Sequence, residues 1–447
     1  MPEGNISKTT VSLEDRILTR HAAFMANLNG SQPFLLGLRS NALQAFQSLG
    51  FPGRKSEDWK YTPVTKWLDA SLQMAESHDE PVLAVPPVLK QDNRYLAVSV
   101  NGIFRADLSE LPGAEQNVVV CSLADAFKDH TELVQSHIAK QADYTSEAFT
   151  ALNTAFLGNG LFVWIPDGAS LDYPLYVTDI CTDPNRSLIQ PRNLFVVGAN
   201  ATGTILEWYD GPGHPSCFEN AVTEFYVGPS SRVNHIYVFD RGESADLINS
   251  LFVYQEKDSY FTTNHLTLSG RLVRYNLNFL PDGEGCETHL LGLVLARNEM
   301  HVDVHTFVDH AKPNSISNEL YKCILDGNSV GVFNGKIMVR QDAQLINAYQ
   351  SNRSVLLSDS AHMYSKPELE IYADDVKCSH GATTGQLDEE AIFYLQSRGL
   401  RQEEARLLLL ESFAREVIEQ VDDEAIRAYL GVRLRELLGE PAVSSTT

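Results

Sequence analysis

A thiol and an imidazole stand two residues apart in Val376-Lys377-Cys378-Ser379-His380-Gly381-Ala382-Thr383-Thr384-Gly385. Side chains two apart on a strand share one face. Leu369, Ile371 and Val376 precede the pair, so the stretch reads as the last strand of a β region, with Cys378 and His380 on the same side. Such a pair suits soft-metal or sulfur chemistry. The same residues also fit a buried cysteine and a strand-end histidine at an ordinary boundary, because free cysteine is often a small core residue. The glycines and threonines after His380 predict a turn, and from Asp388 the pattern becomes helical. Two ligands cannot complete a metal site, so iron or a cluster bound here needs further ligands from a second chain.

A second polar run is His301-Val302-Asp303-Val304-His305. On a strand its three polar side chains share a face. The two histidines then lie about 13 Å apart, at about 3.3 Å per residue. To share a zinc at about 2.1 Å they would have to lean strongly inward. The run therefore predicts a polar ladder on the outside of the β region, and Asp309-His310-Ala311-Lys312-Pro313-Asn314-Ser315 a turn after it. No nucleophile elbow, Walker A loop, H-E-x-x-H or dinucleotide fingerprint stands in a credible context. Gly283-Glu284-Gly285 and Gly327-Asn328 are turn chemistry.

The elements that must hold these residues follow from the rest of the chain. At 447 residues, two or three domains are expected. Hydrophobic residues make up 43% and charged residues 21%, as in a globular protein with a sizeable core. The formal net charge of -23 argues against nucleic-acid binding and against docking on anionic membranes. No apolar run is long enough to span a bilayer, and Met1-Pro2-Glu3-Gly4-Asn5 does not begin a secretory signal. Six scattered cysteines, with no C-x-x-C pair, make neither a disulfide framework nor a closed zinc site. A reducing cytoplasm is the expected compartment.

Residues 1–160 read as an N-terminal helical and mixed α/β domain. Helices are predicted over 13–28, 34–49, 123–139 and 147–157, and a Pro-rich acidic linker over 75–92. Trp59 and Tyr61 sit in a polar loop and are expected to pack on the helices. Residues 161–385 carry many short β-type runs with no convincing helix. Val273, Tyr275, Leu277 and Phe279 face one side, with Arg274, Asn276 and Asn278 on the other. The span is too long for one immunoglobulin-like sandwich and lacks a propeller's repeated blade motif. A β-helix, its open edges protected by the flanking segments, fits best. Residues 386–447 predict three short amphipathic helices and a frayed tail. Those helices either pack against the β region or present a face to a partner.

Three segments then carry a resemblance to a known family. Ser56-Glu57-Asp58-Trp59-Lys60-Tyr61-Thr62 is similar to an E-x-W-K-Y-T element. Asp309 to Glu319 resembles an H-x-x-P-x-S-x-S strand-turn. Lys377-Cys378-Ser379-His380-Gly381-Ala382-Thr383, with Ser397-Arg398-Gly399-Leu400 and Ala405-Arg406, resembles the C-terminal signature of the SufB/SufD family of iron–sulfur cluster assembly scaffolds. The likeness runs from about residue 10 to 438. It implies a mainly β fold, a right-handed parallel β-helix between an N-terminal α/β segment and a C-terminal helical segment. It implies a non-catalytic scaffold subunit of the SufBCD complex, paired with SufB through the β-helix and, by way of SufB, with the cysteine desulfurase system. It implies that the C-terminal helices dock the SufC ATPase, with Leu409, Phe413, Arg415 and Val417 as the expected contact residues. It implies a role for His380 at the interface with SufB where a nascent cluster forms, with Cys378 beside it as a second candidate iron ligand. The expected cofactor is thus a transient cluster or iron at that interface, and none tightly bound in the lone chain. The E-D-W-K-Y-T element favours the SufD branch over the SufB branch. Outside the family, the alternative is a cytosolic solenoid enzyme using Cys378 and His380 as nucleophile and base.

Overall fold

A β-strand run whose inward side chains are large and apolar can bury them only by stacking coil on coil, and the chain does so. The computed structural model describes residues 12–26, 32–68, 72–74, 89, 92–182, 186–210 and 217–439. The linker expected over 75–92 falls almost wholly outside these residues, as do residues 1–10 and the tail 441–447.

From Arg192 onward the strands alternate between two sheets. The first sheet takes Arg192–Val197, Phe218–Val227, Asp246–Gln255, Leu272–Pro281, His301–His310, Val330–Val339 and His362–Ile371. The second takes Thr202–Asp210, Arg232–Asp240, Tyr260–Thr267, Glu287–Ala296, Ile316–Leu325, Ile346–Leu356 and Val376–Gly385. Each strand pairs in parallel with its counterpart one coil away. Coil lengths range from the 26 residues between Ser250 and Asn276 to the 32 between Asn334 and Lys366. The fold is therefore a parallel β-helix. Asn200, Ser230 and Asp258 hold left-handed backbone at successive corners, a conformation that short polar side chains tolerate better than bulky ones.

Three apolar layers follow from the alternation. Inside the solenoid lie Phe195, Phe225, Tyr237, Phe261, Tyr275, Phe279, Tyr321 and Phe333 with their aliphatic neighbours. The face predicted from Val273, Tyr275, Leu277 and Phe279 is this interior. On the outside of the first sheet, Leu188, Phe218, Ile248 and Leu272 meet the N-terminal helices α1 (Leu13–Ala26) and α2 (Pro33–Leu49), the segment around Trp59 and helix α5 (Ala148–Ala155). Residues 123–139 form two helices, α3 (Leu123–Asp129) and α4 (Thr131–His137), with His130 between them. The N-terminal third is continuous with the solenoid. Tyr95–Val100 joins the second sheet beside Leu175–Ile180, and Val119–Ser122 joins the first beside Leu161–Ile165.

On the outside of the second sheet, Leu206, Trp208, Ile236, Val238, Leu266, Leu293 and Ile324 are covered by α7 (Gln402–Ile418) and α8 (Glu424–Gly439). Helix α6 (Glu389–Ser397) precedes them, and the Asp388 carboxylate accepts from the Glu390 amide at 2.9 Å as an N-cap.

Two expectations need correction here. The predicted turn after His380 is strand as far as Gly385, because Ala382 to Gly385 pair with Asn352 to Val355 and so satisfy that neighbour's backbone groups. The His301–His305 ladder does lie outside the solenoid, but it is not open to solvent. Trp67 packs at 5.3 Å on His301, Thr62 hydrogen-bonds Asp303, and His301 and Asp303 are both buried. His362–Ile371 went unread as a strand because Ser365 and Pro367 stand at inward positions and interrupt the apolar half of its alternation.

Candidate functional site

Among the described residues the terminal coil has no successor. Val376–Gly385 ends the second sheet and His362–Ile371 ends the first, so each leaves one strand edge unpaired among those residues. In register, Cys378 lies over Ala348 and His380 over Gln350. Ala348 and Gln350 lie in turn over Ser317 and Glu319. Ala348 belongs to the interior cluster and Cys378 packs at its margin. Cys378 and His380 therefore face inward, at the one place where inward means toward the open end. Along the solenoid, each inward side chain is buried by the next coil. At this coil His380 is exposed and Cys378 half-buried.

The sequence pair is thus brought to one face, though no hydrogen bond joins its members. Two rises of about 3.3 Å separate them and the side chains point in parallel, so His380 does not reach the thiol as a base. Burial pushes the Cys378 thiol above its ordinary value, against a hydrogen bond from the Ala348 backbone. A raised thiol is a poorer nucleophile at neutral pH, and the nucleophile–base reading finds no support. Among the described residues no three His, Cys, Asp or Glu side chains gather around a point that could hold a metal ion. Of the other cysteines, Cys286 is tied to the Glu256 and Gly283 carbonyls at 3.1 and 3.2 Å, and Cys323 lies inside the solenoid. All six cysteines are free thiols.

The C-terminal helices divide the four expected contact residues. Arg415 is exposed, with Glu419 at 3.9 Å. Leu409 and Phe413 are half-buried, and Lys322 lies over the Phe413 ring at 4.5 Å while donating to the Phe413 carbonyl at 2.8 Å. Val417 is fully buried. That position corrects the expectation for Val417. Helix α7 turns Leu410, Ala414, Val417 and Ile418 onto the second sheet, so Val417 is occupied by this chain's own core. The large exposed apolar side chains lie elsewhere on the helices. They are Phe393 at 73%, Tyr394 at 57%, Val432 at 57% and Leu408 at 43%. Sequence reasoning missed Phe393 and Tyr394, although two adjacent aromatics on a short helix cannot both share the buried side with Ile392.

The polar loop around Trp59 is a clamp on the first sheet. The Arg274 guanidinium stacks on the Trp59 ring at 3.8 Å, donates to the Asp58 carbonyl at 2.8 Å and pairs with Asp303 at 2.5 Å. The Thr62 hydroxyl donates to Asp303, with His301 Nε2 2.9 Å from the same hydroxyl. Burial alone would push the Asp303 carboxyl up. Arg274, then His305 and Thr62, overcome that and hold it well below the usual carboxylate range. Trp59 packs on Phe149 of α5 at 5.3 Å, as expected of a helix-packing residue. Tyr61 instead stacks at 4.3 Å on Tyr364 of a strand.

Two family descriptions match this chain. The SufBD core domain of SUF-system FeS cluster assembly covers residues 180–413. The SufBD protein N-terminal region covers residues 21–177. An iron–sulfur cluster assembly SufBD family protein of Synechocystis is 33% identical over 398 residues, 87% of either chain. The iron–sulfur cluster assembly protein SufD of Escherichia coli is 27% identical over 400 residues, 89% of this chain and 91% of its own. The chloroplastic protein ABCI7 of Arabidopsis thaliana is 28% identical over 430 residues, 93% of this chain and 87% of its own.

Proposed function

Because this chain belongs to the SufB/SufD family of iron–sulfur cluster assembly proteins, we propose that it acts as a SufD-type, non-catalytic scaffold subunit of a cytoplasmic SufBCD complex. Its open solenoid end pairs with SufB, and its C-terminal helices dock SufC. Iron or a nascent cluster is cargo at the SufB junction, where His380 is the principal ligand or proton carrier and Cys378 contributes less. The name SufD carried by one relative supports the branch.

The observation that carries this reading is the placement of His380. It is an exposed imidazole on the inward face of a terminal coil, flanked by two strand edges that are unpaired among the described residues. Such edges are templates for strand addition by another chain. A neutral imidazole can ligate iron or move a proton near physiological pH. No helix among the described residues is long and apolar enough to cross a membrane.

The test is complementation of a strain lacking this chain, alongside co-purification of SufB and SufC. His380→Ala should leave fold and complex intact, since truncation of an exposed side chain typically costs within about 0.5 kcal/mol. It should abolish cluster maturation, and Cys378→Ser should reduce it less. Full complementation by His380→Ala removes the reading. Loss of the complex itself would instead make His380 a structural residue.

A further inference from the structure

Most buried carboxylates in this solenoid have a cationic or imidazole partner. Glu224 pairs with Arg192 at 2.6 Å, Glu219 with Arg241 at 2.7 Å and Glu207 with His235 at 3.0 Å. Glu319 has no such partner among the described residues, although it is 4% exposed. Lys322, three residues on, points to the other face and pairs with Glu416 of α7. What surrounds Glu319 is neutral. Leu290 lies below it in register, Thr306 faces it from the opposite sheet, and Tyr321 lies alongside. His310, farther along the opposite strand, bonds Ser317 at 2.9 Å and is depressed by burial to about 4, so it is uncharged at neutral pH. The remaining titratable neighbours, Tyr275 and Cys323, are buried groups raised by burial.

Above Glu319 lies Gln350, whose Nε2 donates to Glu319 Oε2 at 2.5 Å. The Gln350 amide reaches across the lumen to Gly335, where a Cβ would stand 2.2 Å from Nε2. Directly above Gln350 is His380. Glu319, Gln350 and His380 thus form one inward column that surfaces at the open end, with about 4.8 Å between successive coils. Glu319 Oε1, Gln350 Oε1 and the Tyr321 hydroxyl are buried with no hydrogen-bond partner among the described residues. Buried polar atoms of this kind are commonly served by internal water.

We propose that Glu319 is a proton-storing acid inside the solenoid, exchanging its proton with the open end along the column through Gln350. Burial pushes its carboxyl up to about 7, against the nearby Thr306 hydroxyl and the Gln350 hydrogen bond, so both proton states are accessible near neutrality. On release the O–H bond breaks, the carboxylate keeps the electron pair, and an O–H bond forms on internal water held by the unpartnered Gln350 and Tyr321 oxygens, which hands a proton on to an imidazole nitrogen of His380. There it is available to sulfide or thiolate chemistry. That last use rests on the reading of His380 given above. The exchange itself does not.

Infrared titration of the full chain tests the exchange. The carbonyl stretch of a protonated carboxylic acid should be lost between about pH 6 and 8; Glu319→Gln should remove the part centred near 7 and leave that of Glu219, whose carboxyl burial pushes up to about 8. A Glu319→Gln titration that matches that of the unaltered chain, or an unaltered chain with no loss beyond that of Glu219, overturns the proposal. Gln350→Met should move the midpoint upward, because a hydrogen bond favouring the carboxylate is gone. It should also slow deuterium exchange of the acid about tenfold or more. Gly335→Ala, which displaces the Gln350 amide from the opposite sheet, should slow it likewise and serves if Gln350→Met does not fold. Unchanged exchange in whichever of these variants folds rules out the route. None of these measurements needs a partner or a cluster. If they come out as expected while His380→Ala complements fully, the acid stands and the cluster reading falls; the reverse pair of results separates the two the other way.

Discussion

Removal of Arg274 is expected to release the Glu57–Thr62 segment while the solenoid stays folded. Arg274 and Asp303 are 2% and 1% exposed, so the pair is fully desolvated. Breaking such a pair from one side leaves a buried charge and costs about 3–5 kcal/mol. Arg274→Met keeps the bulk of the side chain, but it loses the Asp303 pair, the bond to the Asp58 carbonyl and the stack on Trp59. The loss should be local, because the strand carrying Arg274 keeps its parallel neighbours on both sides. Hydrogen exchange reads it at two amides, Trp59 bonded to the Ser56 carbonyl and Thr62 bonded to the Trp59 carbonyl, each at 3.1 Å. Their protection should fall by roughly two to three orders of magnitude, at about 1.4 kcal/mol per factor of ten. Replacing both partners, Arg274→Met with Asp303→Leu, should restore most of it, since an apolar pair of similar volume is often neutral. The pH dependence has a definite sign. In the unaltered chain the Asp303 carboxyl is depressed, so its contribution is complete above the unfolded value near 3.8 and is lost only as pH falls toward the depressed folded value. Without Arg274 only His305 and Thr62 are left to oppose burial, and the carboxyl moves up. The deficit of the variant should therefore shrink as pH falls through that higher value. A change of less than tenfold at both amides, or a deficit that grows toward acid, would refute the account of the clamp.

Two further outcomes can be measured on the same chain. Phe393→Ser and Tyr394→Ser should each weaken SufC binding by about 2 kcal/mol or more, roughly thirtyfold in a calorimetric titration, and Arg415→Glu should weaken it in the same direction. The melting temperature should be nearly unchanged in all three, whereas Val417→Ser should lower it; unchanged affinity in all three would remove SufC from this face. Gly292→Ala should destabilise the solenoid by about 1–3 kcal/mol in urea unfolding, because its Cβ would stand 2.1 Å from the Tyr321 ring, and an unchanged transition would mean that the ring can move aside.

Much of the fold was legible because alternation reports burial directly. Val273, Tyr275, Leu277 and Phe279 declare an inward face without any knowledge of the neighbouring coils. Legibility failed where a tertiary partner decides. His301, Asp303 and His305 look like a solvent-facing ladder, since nothing local shows that Thr62, some 240 residues earlier, lies against them. The four-residue spacing of Leu409, Phe413 and Val417 marks an apolar stripe, but not which edge of it meets the sheet. The structure places Leu410, Ala414 and Val417 there. Residues 381–385 read as a turn because glycine and threonine carry no packing signal, and only the backbone of the Ile346–Leu356 strand holds them extended. The Cys378–His380 pair was visible at once. Its relation to Gln350 and Glu319 was not, because register between coils depends on corner lengths that vary from coil to coil.

The position of His380 also follows from the economy of a solenoid. In an inner coil, an inward residue is both floor for the coil above and roof for the coil below, so most such residues are apolar or hydrogen-bonded. The last coil lacks a roof, and its inward residues change accordingly. Phe333 and Ile337 give way to Ser365 and Leu369 in the first sheet, and Tyr321 and Cys323 give way to Asn352 and Ser354 and then Ala382 and Thr384 in the second. The top of the stack is therefore too polar to be a buried core and too apolar, with Val376 and Leu369 at its rim, to be an ordinary surface. Its strand edges carry unpaired backbone groups on two strands of ten residues each. A surface of that composition is satisfied by another chain that supplies both a strand edge and a polar lining. A partner built on the same solenoid has such an end to offer. The column from Glu319 to His380 would then terminate inside a joint interior, where His380 faces the partner's donors instead of water.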